Sequence, residues 1–287
     1  MAATDVTPQE LRPLLFSLAY RMVGEVGTAE DLVQEAFLRH HREAAVAAPK
    51  AFLTTVVTRL AIDHLRSARV RREAYAGPWL PEPLVRDTAE AVEDDETLSL
   101  AFLALLERLT PVERAVYVLH ELFAYSHDEV AAVVGKSTAN CRQILARARR
   151  HVDDARPRFE PSRERREALL ARFLAAVGAG DVDALVRLLA ADAISYADGG
   201  GKARATPRAI HGAAKVARLW ATLGTQRGEF TLLAAEVNGQ PGVVGMQDGK
   251  VMSVLTLDVA GDRVQTVWAV VNPDKLARVP TALPAVR

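Results

Sequence analysis

Apolar residues along the first seventy positions recur at intervals of three and four, the spacing of one face of an α-helix. Leu14, Leu15, Leu18 and Met22 form one stripe, and Leu32, Val33, Ala36 and Phe37 form another. The second of these helices is predicted to start at Thr28, whose hydroxyl suits an N-cap and which is followed by Ala-Glu-Asp, placing acids at the positive end of the helix dipole. A third helix is predicted after Pro49, over AFLTTVVTRLAIDHLRSARVRRE, beginning apolar and ending basic. The pattern breaks at AGPWLPEP, residues 76–83, where three prolines and a glycine exclude a regular helix. A purely flexible connector has little use for Trp79 and Leu80, so this stretch is expected to dock on something; the plainer reading is a tryptophan covering a nearby core.

Helical spacing resumes at Leu98. Thr110-Pro111-Val112-Glu113 and Ser126-His127-Asp128-Glu129 each carry the residues of a capping box, the first with proline at the opening helical position. Gly135 ends the helix that Ser126 starts, and Ser137 caps the next, so residues 126–150 read as a helix-turn-helix. In its second helix Cys141, Leu145, Ala148 and Val152 make an apolar seam, while Asn140, Gln143, Arg147 and Arg150 line the opposite side. A polar, cationic face opposite a core seam suits DNA, because Arg forks onto guanine and Asn or Gln onto adenine. The alternative is an ordinary solvated helix face. From Ser162 two helices lead to a strand-like AISYA, with a further helix near AAKVARLWATL. Strands then follow, punctuated by the turn dipeptides Asn238-Gly239, Asp248-Gly249 and Gly261-Asp262. Helices followed by a run of antiparallel strands imply an α+β unit.

Composition alters this picture in two places. The chain of 287 residues is 49% hydrophobic and 25% charged, which fits a globular protein of two or three domains. Its formal net charge is zero, yet the charges are segregated: residues 87–97 hold six acids and no base, whereas residues 135–152 hold five Lys or Arg and no acid. The single cysteine, Cys141, excludes an intramolecular disulfide or multi-cysteine zinc site and reads as a core residue. No apolar run is long enough to span a bilayer and the N-terminus lacks the order of a signal peptide, so a cytoplasmic protein without membrane contact is expected.

Two features of the N-terminal block bear on function. The helix AEDLVQEAFLR, residues 29–39, displays Glu30, Asp31, Gln34 and Glu35, a surface that suits a protein partner and repels phosphate. The next helix gathers Arg59, His64, Arg66, Arg69, Arg71 and Arg72, which suit a nucleic-acid backbone.

These two stretches together resemble region 2 of the extracytoplasmic-function sigma factors of bacterial RNA polymerase, and LTPVERAVYVLHELFAYSHDEVAAVVGKSTANCRQILARARR resembles their region 4. WLPEP at 79–83, DGGGK at 198–202 and NPDKL at 272–276 are similar to the marks of a subclass that bears a SnoaL-like C-terminal extension. The resemblance implies a multidomain chain: an all-α region 2 domain over 8–75, a linker with the WLPEP motif over 76–97, an all-α region 4 helix-turn-helix over 98–157, and a SnoaL-like or NTF2-like α+β cone with a curved antiparallel sheet over 162–280. It implies core RNA polymerase and promoter DNA as partners, with Asp31, Leu32, Gln34 and Glu35 on the polymerase. Arg59, Asp63, His64, Arg66, Arg69, Arg71 and Arg72 would serve the minus-ten element. Lys136, Ser137, Thr138, Asn140, Arg142, Gln143 and Arg147 would serve the minus-thirty-five element. Many relatives carry Asn where this chain has Arg59, so minus-ten preference transfers less well than the role. Two weak modules become selective when the polymerase holds them at a fixed separation.

For the C-terminal unit the resemblance implies regulation. Trp79, Leu80 and Pro81 would be held by Asp198, Gly199, Gly200, Gly201 and Lys202 together with Asn272, Pro273, Asp274 and Lys275, the last two segments being expected as exposed loops. The cone is expected to pack on region 2 and the linker, fixing the spacing of regions 2 and 4. Enzymatic relatives carry an acidic general base near the end of the first strand, a place that falls here on Ala197, with Asp198 one step beyond and aimed at the other face in a regular strand; a bulge would let Asp198 serve, with His211 assisting. No catalytic residue, metal ligand or cofactor is therefore assigned. The cone leaves room for a small ligand, and nothing calls for a separate anti-sigma factor. The competing functions are a stand-alone helix-turn-helix regulator with a ligand-binding SnoaL-like domain, which would bind an operator tightly by itself, and a cyclase or isomerase fused to a DNA-binding module.

Overall fold

The computed structural model describes residues 7–43, 46–73, 75–86, 96–153, 162–226 and 230–284. Its contacts group the chain into two compact units. One comprises Met1–Ala74 and Leu103–Arg156, the other Tyr75–Phe102 and Pro157–Arg287. The acidic stretch 87–95 lies outside the described residues.

The first unit is all helical. After a short 3-10 turn come α1 (Arg12–Val23), α2 (Val26–Arg42) and α3 (Pro49–Glu73), which pack on one another: of the predicted stripes Leu15, Leu18, Met22, Val33 and Ala36 are buried and Leu14, Leu32 and Phe37 half-buried, and Leu53, Val57 and Ala61 of α3 are buried with them. Thr28 is not the N-cap of α2. The helix begins two residues earlier behind Glu25, and the Thr28 hydroxyl instead donates to Glu25 Oε2 at 2.8 Å. Helices α5 (Pro111–Tyr117), α6 (His127–Val134) and α7 (Thr138–Asp153) follow. Both capping boxes form as predicted, Gly135 stops α6 with φ +67°, and Ser137 Oγ accepts from Asn140 N–H at 3.3 Å. The seam Cys141, Leu145, Ala148 and Val152 is buried, as its spacing predicts.

The three-helix block and the helix-turn-helix block share this unit through specific contacts. Arg114 is fully buried, donates Nε–H to the Arg21 carbonyl at 2.9 Å and pairs with Glu107. Thr54 and Tyr125 hydroxyls lie 2.9 Å apart, and Arg59 on α3 donates to the Val133 and Ala132 carbonyls at 3.0 and 3.2 Å, satisfying the C-terminal end of α6.

The second unit opens with the linker, whose residues 85–86 form β1 (Val85–Arg86), followed by α4 (Leu100–Leu106) running out of it. Beyond these lie α8 (Arg163–Ala179), α9 (Val182–Leu188), β2 (Leu189–Asp198), β3 (Ile210–His211) and α10 (Ala213–Gln226), then β4 (Thr231–Val237), β5 (Gln240–Gln247), β6 (Lys250–Ala260), β7 (Arg263–Val270) and α11 (Pro273–Leu276). The sheet runs β1-β4-β5-β6-β7-β2-β3. Asn238-Gly239 and Asp248-Gly249 have positive φ throughout, as two-residue hairpin turns require. The expected antiparallel sheet is found for β4 to β7, but β2 pairs parallel with β7, so the sheet is mixed. Register shifts at Gly245/Met246 and Asp258/Val259 interrupt the ladders, as bulges that bend a sheet do. One face of the sheet, with Val243, Leu255 and Val267, packs on Phe173 of α8 and Trp220 of α10, whose rings meet edge to face at 5.7 Å between centroids.

Asp258 on β6 is half-buried, and desolvation pushes its carboxyl up to about 6 against the lowering pull of the Val259 N–H and of Arg166. The folded state therefore holds this proton more tightly than the unfolded chain does. Its contribution to stability is complete below about pH 4 and is lost as pH rises through about 6. Asp258→Asn should match the parent near pH 4 and exceed it by up to roughly 3 kcal/mol near pH 8, measured by urea unfolding at both pH values.

Candidate functional site

Asp198 is the last residue of β2. Along that strand Ala197 packs against the helix-covered core while Asp198, one step on, takes the opposite face. Its side chain is fully buried there. Oδ1 accepts from the Tyr75 hydroxyl at 2.6 Å and from the Gly200 N–H at 3.0 Å; Oδ2 accepts from the Leu80 N–H at 2.8 Å and from Lys275 Nζ at 2.7 Å. Lys275 Nζ also donates to the Leu80 carbonyl, so one buried ion pair takes up both backbone polar groups of Leu80. The ammonium is roofed by aromatic rings, 4.2 Å from the centroid of Trp79 and 5.2 Å from that of Tyr75. Burial, together with the Asp198 carboxylate that takes its hydrogen bond, raises the Tyr75 hydroxyl pKa far above that of a free phenol, so it remains a donor.

The neighbouring segments complete this clasp. Asn272 caps α11 through the Asp274 N–H and donates to the Tyr75 hydroxyl at 2.9 Å. Lys202 pairs with Asp274 at 2.5 Å, joining the glycine loop to α11. Asn238, in the β4–β5 turn, accepts from the Leu84 N–H at 3.1 Å and donates its own N–H to the Leu84 carbonyl at 2.8 Å. Pro81 and Pro83 are buried.

The sequence expectation of two exposed loops is corrected in part: Asp198, Asn272 and Lys275 are buried beneath the linker and NPDKL is a short capped helix, while Gly201, Lys202, Pro273 and Asp274 face solvent. The glycines are close-approach residues. A side chain at Gly199 would meet the Ala203 carbonyl, and one at Gly200, where φ is +59°, would run into the Asn272 amide and come within 3.0 Å of the Tyr75 hydroxyl. Gly200→Ala should cost about 1–3 kcal/mol, read as a lowered thermal midpoint of the C-terminal unit.

Other predicted site residues are dispersed as follows. On α2 Asp31 and Gln34 are exposed and Leu32 is half-buried, with Glu35 paired to Arg39 at 2.7 Å. On α3 Asp63 pairs with Arg66 at 3.0 Å, and His64 lies 3.8 Å from Glu25. The side chains of Arg69, Arg71 and Arg72 lie outside the described residues. On α7 Asn140, Arg142 and Gln143 are exposed; Thr138 donates to Asp128 at 2.7 Å and Arg147 pairs with Glu113 at 3.3 Å. Arg59, Asp63, Arg66 and Lys136 line one cleft between α3 and the turn after α6. His211 sits on β3 opposite Ile194, away from the strand end that carries Asp198, so the two do not meet. Tyr75 and Asn238, which hold the clasp together, were not singled out by the sequence; the first lies at the tail of a basic helix and the second reads as an ordinary turn residue.

Comparison with known proteins fits these two helical blocks. Residues 9–71 match the Sigma-70 region 2 family and residues 99–152 match Sigma-70, region 4. Over 95% of this chain and 93% of the relative, the sequence is 40% identical to the ECF RNA polymerase sigma factor SigJ of Mycobacterium tuberculosis. The chain belongs to the extracytoplasmic-function sigma factors. A probable sigma factor of the same organism, SigI, is 32% identical over 92% of each chain. The crystal structure of M. tuberculosis SigJ superposes with a TM-score of 0.78 at 37% identity, covering 94% of this sigma factor and 97% of that chain. As a member of the family this sigma factor directs transcription initiation, with core RNA polymerase and promoter DNA as its partners, and it is not an enzyme. Among the described residues, no helix is long and apolar enough to cross a membrane.

Proposed function

We propose that the C-terminal unit regulates this sigma factor by gripping the segment that joins region 2 to region 4. The observation that carries this reading is the Asp198–Lys275 pair, which takes both the N–H and the carbonyl of Leu80 in a buried site. A connector between two DNA-reading modules sets their reach, and a connector held at its middle has a shorter free length than its sequence allows.

In the same proposal α2 meets core polymerase through Asp31, Leu32, Gln34 and Glu35, α3 serves the minus-ten element, and α7 serves the minus-thirty-five element through Asn140, Arg142, Gln143 and Arg147. The arrangement described here is then a resting one. The guanidinium of Arg59 is committed to the carbonyls of Ala132 and Val133, in the cleft that also holds Lys136. Reading both promoter elements requires α3 and α6 to part, and a gripped linker restrains that parting. Asp198, one step beyond the place where a catalytic cone would hold its base, is spent on this structural duty.

Run-off transcription with core polymerase tests the restraint. Trp79→Ala removes one aromatic roof of Lys275 but keeps the buried ion pair. It should raise transcript yield several-fold when core polymerase is limiting. An unchanged or lower yield from a folded variant overturns the restraint while leaving the family assignment intact.

A further inference from the structure

The helix-covered face of the C-terminal sheet holds a partly open cavity of about 210 Å³ that the clasp does not use. Its wall is built from Val177 of α8, Trp220 of α10, Phe230, Leu255 of β6 and Val271, with Ser253 Oγ as its polar side-chain group. The Trp220 Nε1–H is already donated to Ser195 Oγ at 3.1 Å, so the indole contributes only apolar surface. Two glycines shape the space. A side chain at Gly224 would collide with the Val177 carbonyl, so the glycine lets α10 close on α8; one at Gly245 would collide with the Phe230 ring and the Ser253 hydroxyl, so that glycine admits both to the wall. Among the described residues no ionisable side chain lines the cavity, Asp198 and Lys275 being on the opposite face of the sheet.

We propose that this cavity is a binding site for a neutral, largely apolar molecule of one or two fused rings carrying at most one hydroxyl or carbonyl, which Ser253 meets. The size follows from the volume, since a dry cavity of about 150 Å³ already accepts a single benzene ring. The neutrality follows from the lining, because a carboxylate or ammonium would leave water with no counter-charge to receive it. Binding without turnover follows from the register of β2: the group aimed at this side of the sheet is the methyl of Ala197, not a general base. Val271 in the wall donates its N–H to the Asp198 carbonyl at 2.8 Å and precedes Asn272, so the cavity shares a strand end with the residues that hold the linker.

Titration calorimetry of the full chain with naphthalene, naphthol and naphthoate decides the matter. The two neutral probes should bind one to one, and naphthoate at least about tenfold more weakly, a difference of about 1.4 kcal/mol. Ala269→Leu, which fills the cavity from β7, should abolish binding of both neutral probes while the protein still melts cooperatively. Ser253→Ala should weaken naphthol and leave naphthalene unchanged, and this split decides the question should the filled variant not fold. The proposal is overturned if the neutral probes fail to bind the folded parent, if naphthoate binds as tightly as naphthol, if a folded Ala269→Leu protein binds as the parent does, or if Ser253→Ala leaves naphthol unchanged.

Discussion

A Lys275→Met protein should lose about 3–5 kcal/mol of stability in its C-terminal unit, because it leaves the Asp198 carboxylate buried without its cation. Methionine fills the space of the lysine stem, so the loss reports charge and hydrogen bonding more than volume. Two effects compound it. The Leu80 carbonyl loses its donor, and the rings of Trp79 and Tyr75 lose the ammonium they cover. Replacing Asp198 by Leu in the same protein should restore only part of the loss, since the Leu80 N–H and Tyr75 hydroxyl would then be orphaned in turn. Urea unfolding followed by tryptophan fluorescence, run on both single variants and the double variant, gives the coupling directly. A Lys275→Met loss below about 1 kcal/mol would mean that the linker is not held by this pair.

Charge reversal on α2 should act at a different level. Asp31→Lys with Glu35→Lys should weaken binding to core polymerase by about a hundredfold or more, because like charges across a complementary interface cost several kcal/mol. The fold should be indifferent. Asp31 is exposed, and losing the surface pair between Glu35 and Arg39 costs about 0.5 kcal/mol at most. Co-purification with core polymerase, alongside an unchanged circular dichroism spectrum, checks both halves of the expectation. Intact assembly of the doubly reversed protein would remove the polymerase-facing role from this helix.

The helical unit was legible in the sequence because its signals are local. The capping boxes at Thr110 and Ser126 name their own partners three residues away, and the seam from Cys141 to Val152 needs only helical periodicity. Thr28 shows the limit of such signals: its hydroxyl found Glu25 one turn earlier, and the helix began there instead. The α+β class and the hairpins were equally readable, since Asn238-Gly239 and Asp248-Gly249 fix their turns by backbone conformation alone. The parallel pairing of β2 with β7 was not, because it joins residues some seventy positions apart with no residue type that marks it. The clasp was half readable. Its three segments stand out as motifs, and the alternation of β2 correctly turned Asp198 away from Ala197. What the motifs did not disclose is that they bury one another, so two of them looked like exposed loops. Tyr75 and Asn238 were missed for the same reason, their partners being more than a hundred residues distant.

The two residues of β1 have a consequence out of proportion to their length. By pairing Val85 with Val237 and Arg86 with Glu236 they occupy the end of the outer rim of β4, whose Ala234 N–H is taken by the Pro284 carbonyl, and without them that end would present unused amides and carbonyls to any passing chain. The extension and the segment ahead of region 4 are thus mutually protective against aggregation. Cutting the gene between them would not yield two well-behaved fragments. It would yield a sheet seeking a new neighbour and a proline-rich strap with its apolar side uncovered.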